Sequence, residues 1–137
     1  MQNFSNTTDM KNLIILNRLC NGKKAKTPAA YKLSDKMEIT LCVAEEITVE
    51  SVDMILYNDC SGEETAFPIK YLGFSGGYNS FSAELDLLNM CKPNNDGLFY
   101  YCFRINTVDT ALYVSSVNNV DFVITEDAYN VSKFRLL

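Results

Sequence analysis

The sequence has no histidine and no tryptophan among its 137 residues. Without histidine the chain loses the commonest general base, the commonest zinc ligand and every nucleophile–histidine arrangement. Cysteine is present, at positions 20, 42, 60, 91 and 102, but the number is odd and no C-x-x-C occurs. That excludes an encoded zinc knuckle or redox dithiol and leaves buried free thiols in a reducing compartment, with the cytoplasm as the expected location. Positive charge is scarce too. The net charge is −5, and the one basic cluster is Lys23, Lys24 and Lys26. A nucleic-acid groove needs many more clustered cations, so no nucleic-acid partner is expected. Long apolar runs are missing as well. The stretch "NLIIL" (12–16) is too short for a membrane span or a signal-peptide core, so no membrane partner is expected either.

What remains is a chain of ordinary globular composition, 47% hydrophobic and 21% charged, of a size that builds one core without staples. Residues 1–10, "MQNFSNTTDM", are polar and aperiodic and read as a loose tail. From residue 11 onward short strands follow one another: 12–16, 36–44, 51–59, 65–72, 78–88, 98–105, 110–116, 121–125 and 131–137. In "KMEITLCVA" (36–44), Met37, Ile39, Leu41 and Val43 alternate with Lys36, Glu38 and Thr40. In "YNSFSAELDLL" (78–88), Phe81, Ala83, Leu85 and Leu87 alternate with polar residues. Pro68 suits an edge strand, because proline cannot donate to a ladder. The stretches "NDCSGEE" (58–64), "GFSGGYN" (73–79) and "KPNNDG" (92–97) carry turn chemistry, and 17–22 "NRLCNG" reads as a weak helical turn. The pattern predicts an all-β fold, an immunoglobulin-like antiparallel β-sandwich of seven to nine strands over residues 11–137. "VSKFRLL" (131–137) reads as a strand still under way, which suggests a piece of a longer protein.

The segments "NLIILNRL…KTPAAYKLSDKMEITLCV" (12–43), "ITVESVDMILYND" (47–59), "FPIKYLGFSGGYNSFSAEL" (67–85) and "GLFYYCFRI" (97–105) together cover nearly the whole chain. They resemble the N-terminal β-sandwich domain that precedes the catalytic barrel in neopullulanase-like and amylopullulanase-like α-amylases of glycoside hydrolase family 13. Ala29 and Ala30 stand where that family has glycine, and Ile69 where it has methionine. The resemblance implies a non-catalytic accessory domain, like a carbohydrate-binding module. It would pack against a barrel of the same polypeptide that hydrolyses α-glucans, and the fragment itself would not be an enzyme.

The residues offer three further readings. Glu45–Glu46 and Glu63–Glu64 are adjacent carboxylates in or beside turns. Neighbours on a strand point apart and no apolar pocket raises either pKa, so they read as solvated charges, not a glycosidase pair. No EF-hand spacing is present, and no cofactor or metal is expected. Tyr71, Phe74 and Tyr78 surround a Gly-rich hairpin. Sugar rings have an apolar C–H face, so Phe74 and Tyr78 form a candidate stacking platform for α-glucans; folding back over the end of the sandwich is the alternative.

The third reading concerns "DGLFYYCFRIN" (96–106), where Phe99, Tyr101, Phe103 and Ile105 share one side and Leu98, Tyr100, Cys102 and Arg104 the other. If the strands at 51–58 and 98–105 are sheet neighbours, Ile55, Tyr57, Leu98 and Tyr100 form an apolar patch facing outward. Its expected partner is the absent barrel or a second copy of the chain in a homodimer. A covering loop such as 17–31 would instead make it internal. A structural or dimerisation domain without sugar affinity, or a stand-alone binding module, remains the alternative function.

Overall fold

The computed structural model describes residues 13–24, 36–59, 61–86, 99–117, 121–127 and 131–135. The tail read at 1–10, the turn at 92–97, Cys60, Cys91 and Leu98 lie outside the described residues. Two antiparallel sheets face each other. The first contains β1 (Ile14–Cys20), β2 (Lys23–Lys24), β3 (Lys36–Ala44), β6 (Lys70–Ser75) and β7 (Tyr78–Asp86), in the order β2-β1-β3-β7-β6. The second contains β4 (Ser51–Asn58), β5 (Glu63–Pro68), β8 (Phe99–Asn106), β9 (Ala111–Val117) and β10 (Asp121–Thr125), in the order β10-β9-β8-β4-β5. A two-residue β11 (Phe134–Arg135) pairs with β8. The core order β1-β3-β7-β6 over β9-β8-β4-β5 matches strands A-B-E-D packed on G-F-C with one extra edge strand, the immunoglobulin-like arrangement. The fold is therefore the predicted all-β sandwich, with nine strands of five residues or more among the described residues.

Alternation places the core. Met37, Ile39, Leu41 and Val43 of β3 and Phe81, Ala83 and Leu85 of β7 face Val52 and Met54 of β4 and Phe99, Tyr101, Phe103 and Ile105 of β8. Tyr101, Phe103 and Ile105 have no solvent exposure, so the inward side of the aromatic run is core as its periodicity indicates. Among the described residues no helix is long and apolar enough to cross a membrane.

Two elements depart from the sequence reading. The stretch 17–22 is not a helical turn: β1 runs to Cys20, and Asn21-Gly22, with φ of 53° and 81°, makes a tight hairpin into β2. Both central residues have positive φ, the requirement that Asn-Gly meets best in a two-residue hairpin loop. The single strand expected at 65–72 is two strands in different sheets, β5 and β6. Pro68 brings no N–H to a ladder, Ile69 N–H donates to Val52 O at 3.1 Å, and the chain then crosses to the other sheet.

The edge beside β1 is closed by an arginine. Arg18 lies opposite Ile39 and so on the inward side of its strand. Its Nε donates to the Tyr101 hydroxyl, and its guanidinium sits 4.9 Å from the Phe134 ring centre and 5.7 Å from that of Tyr101. Phe134 stacks on Tyr101 with centroids 5.1 Å apart. β9 pairs with β8 over Phe103–Asn106, and β11 takes the same side of β8 beside Tyr100 and Tyr101, where β9 no longer pairs. The charged head satisfies a buried phenol while its stem covers apolar surface. Replacing Phe134 with alanine is expected to cost about 3 kcal/mol in urea unfolding with an unchanged m-value, as for a buried aromatic. A cost near zero would mean that β11 is not part of the core.

Candidate functional site

β6 is an end strand, and the described residues place no partner on its outer side. Tyr71, Leu72 and Phe74 on it are each about half exposed, at 52%, 51% and 54%. They are three of the five large hydrophobic residues exposed among the described residues, so the apolar exposure concentrates on this one short strand. Edge strands normally carry charge or proline to discourage pairing, and a cluster of apolar side chains there marks a contact surface.

A β-bulge decides which side chains meet. The β6–β7 register pairs Tyr71 with Phe81 and then Phe74 with Asn79, with a shift between Tyr71 and Gly73. Phe81 and Asn79 lie opposite Leu41 and Val43, whose side chains are core, so both belong to the inward face of β7. Tyr71 and Phe74 therefore share the inward face of β6, although a spacing of three would put them on opposite faces of a regular strand. Gly73 makes this possible. Its φ of 131° is a conformation that residues with a Cβ rarely adopt. Tyr71 rests on Phe81, with ring centroids 5.2 Å apart at 51°, and its hydroxyl donates to Asn79 Oδ1 at 2.7 Å.

Tyr78 pairs with Ser75 on one side and Ala44 on the other, which places it on the opposite face of the sheet from Phe74. Phe74 and Tyr78, anticipated together, therefore do not share a face; the bulge puts Tyr71 on the face of Phe74, with Asn79 opposite Phe74 and hydrogen-bonded to Tyr71. Asn79 shares the inward face of β7 with Phe81, Ala83 and Leu85 by simple alternation, but its meeting with Tyr71 depends on a register shift in β6 that periodicity does not report.

On the outer face of the second sheet, β4 and β8 are neighbours as anticipated, with Asp53 opposite Arg104, Ile55 opposite Cys102 and Tyr57 opposite Tyr100. Ile55 is 7% exposed and Cys102 1%, so little apolar area is free at the centre. Tyr57 and Tyr100 are half-buried. Residues 17–24 belong to the other sheet and are not the cover; 25–31 lie outside the described residues. Lys133 lies over the Tyr57 ring at 5.3 Å and 3.8 Å from Glu64, so a charged side chain roofs part of this face.

The polar end of the same face is a connected network. Arg104 Nη2 and Asn106 Nδ2 each donate to Asp53 Oδ2 at 2.9 Å, and Asn106 also donates to Ser51 Oγ at 2.9 Å. Burial pushes the Asp53 carboxyl up, but the hydrogen bonds from Arg104 and Asn106, helped by the Arg104 charge, outweigh it and hold its pKa below the ordinary carboxylate value. Burial pushes the Cys102 thiol up to about 11, so it stays protonated and unreactive. Glu45, Glu46, Glu63 and Glu64 are all exposed, and among the described residues no group of three His, Cys, Asp or Glu is placed to hold a metal ion.

A carboxyl whose pKa is depressed on folding contributes stability above its unfolded value, and that contribution is lost as pH falls through the folded value. Asp53→Asn is therefore expected to flatten the decline in stability below about pH 4 relative to the parent chain, read from urea midpoints against pH. In the native chain Cys102 is expected to resist a maleimide at mildly alkaline pH and to react once the chain is unfolded, as mapped by mass spectrometry.

No protein-family model matches the chain, and no curated protein matches it in sequence. Among solved structures the fold is similar to the solution structure of the carbohydrate-binding module of the muscle glycogen-targeting subunit of protein phosphatase-1. That match has a TM-score of 0.51 at 14% sequence identity and covers 94% of this chain and 86% of the other. At that identity the likeness is one of fold: this chain has the β-sandwich architecture that a carbohydrate-binding module also uses.

Proposed function

We propose that this chain is a non-catalytic carbohydrate-binding module that holds an α-glucan at the β6 edge. The observation that carries the reading is the pair of half-exposed rings, Tyr71 and Phe74, brought to one face of an end strand by the bulge at Gly73. Aromatic rings exposed on a rigid strand offer apolar area at low conformational cost, which suits the C–H face of a pyranose. Phe81 beneath Tyr71 and the Asn79 amide beside it restrain the tyrosine ring before any ligand arrives, so less ordering is needed on binding. Two features support carbohydrate as the ligand class: the fold shared with the carbohydrate-binding module of a glycogen-targeting subunit, and the sequence resemblance to the accessory domains of α-glucan-hydrolysing enzymes.

The chemistry of hydrolysis then belongs elsewhere. The adjacent glutamates are solvated, and the network at Asp53 is internally satisfied, so neither forms the pair of carboxyls a glycosidase needs. The resemblance supports placement of the module before an α-amylase-type barrel, with the half-buried Tyr57 and Tyr100 as the contact toward that barrel. Binding of maltoheptaose by the 137-residue chain, measured by calorimetry, is expected to be saturable, and Phe74→Ala is expected to weaken it by about tenfold or more while Tyr78→Ala leaves it near the parent value. Absence of saturable binding would contradict the reading.

A further inference from the structure

The two rings explain adhesion to a sugar face but not choice among sugars, since stacking on C–H groups is indifferent to which hydroxyls surround them. Selectivity needs a fixed polar group beside the rings. One side chain holds that position. Asn79 is the register partner of Phe74 and the hydrogen-bond partner of Tyr71, so its amide lies between the two aromatic residues on the same face of the sheet. Its Oδ1 is committed to the Tyr71 hydroxyl at 2.7 Å. That bond fixes the orientation of the amide and leaves both N–H groups of Nδ2 without a protein partner among the described residues. The backbone that carries it is held on both sides, with Val43 opposite in β3 and Phe74 opposite in β6. A half-buried, oriented amide with two uncommitted donors beside an apolar platform is the complement of a pyranose lying flat with its hydroxyls at the rim.

We infer that Asn79 is the specificity-determining residue of this site: its Nδ2 donates to a hydroxyl of the glucose unit stacked on Phe74, while its Oδ1 holds Tyr71 in place. The inference rests on the α-glucan reading of the same edge. Tyr71 then has two jobs, as a ring under the sugar and as the clamp that aims the amide. The prediction separates the two ends of one side chain. Asn79→Asp keeps an acceptor for the Tyr71 hydroxyl and removes both donors; Asn79→Ala removes everything.

The test uses the whole chain and maltoheptaose, with calorimetry and a side-chain-amide NMR titration. Maltoheptaose is expected to bind the parent chain and to shift the Asn79 Nδ2 protons. The Asp variant is expected to lose about tenfold in affinity with its melting temperature held, the size of one lost hydrogen bond with its desolvated partner. If the parent binds and Phe74→Ala weakens it, but the Asp variant stays within about twofold of the parent or the Nδ2 protons do not move, the role assigned to Asn79 is wrong and the aromatic site survives. If the parent does not bind maltoheptaose at all, or Phe74→Ala binds as the parent does, both the site and the inference built on it fall. The NMR titration reads the parent chain, so the proposal stays testable even where a variant misfolds.

Discussion

Pro68 has no N–H, and the architecture of one side of the molecule follows from that missing donor. It lets β5 be an edge strand of one sheet and stop there; the next residue makes a single bond back to β4, and the chain leaves for the other sheet. The result is that one stretch, Glu63–Ser75, supplies an end strand to both sheets on the same side of the sandwich. Neither end strand is covered by a further described strand on its outer side. Apolar side chains that would be core in a central strand are left half in water on β6.

The opposite side is managed differently. There Arg18 enters the inward face and a guanidinium spans the rings of Phe134 and Tyr101. On one side a charge lies over aromatics, and on the other the described residues leave aromatics half exposed. Sealing an edge is the usual protection against unwanted strand pairing. On β6 the bulge itself supplies part of that protection, since it breaks the regular ladder a second strand would need, and the rings stay available without inviting a peptide.

Much of this was readable in the residues where the pleat is regular. β3, β7 and β8 alternate without interruption, so their inward faces, and the answer to why Phe99, Tyr101 and Phe103 are apolar, follow from period two alone. The outward side of β8 was readable as a set of neighbours of β4 but not as a degree of burial. Cys102 and Ile55 are opposite each other and buried, and a lysine from a distant segment lies over the neighbouring Tyr57 ring; no local pattern reports either. The length of β1 is not legible from alternation, because Arg18 breaks the pattern by placing a charge on the inward face. The break at Pro68 was hidden because the run "TAFPIKYL" stays apolar on both sides of it. The exposed aromatic edge is half legible: Phe74 is identifiable as a loop-side aromatic, but its companion is not. Tyr78 pairs with Ser75 across the hairpin and so faces away from Phe74, while the bulge between Tyr71 and Gly73 turns Tyr71 to the face of Phe74.

The proposed glucan lies on the face that Tyr71 and Phe74 share on the end strand β6. Intermolecular NOEs between maltoheptaose and the aromatic protons of the parent chain test this most directly. Contacts from glucose ring protons to Tyr71 and Phe74, with none to Tyr57 or Tyr100, are the predicted result. Contacts confined to Tyr57 and Tyr100 on the outer face of the other sheet would contradict it.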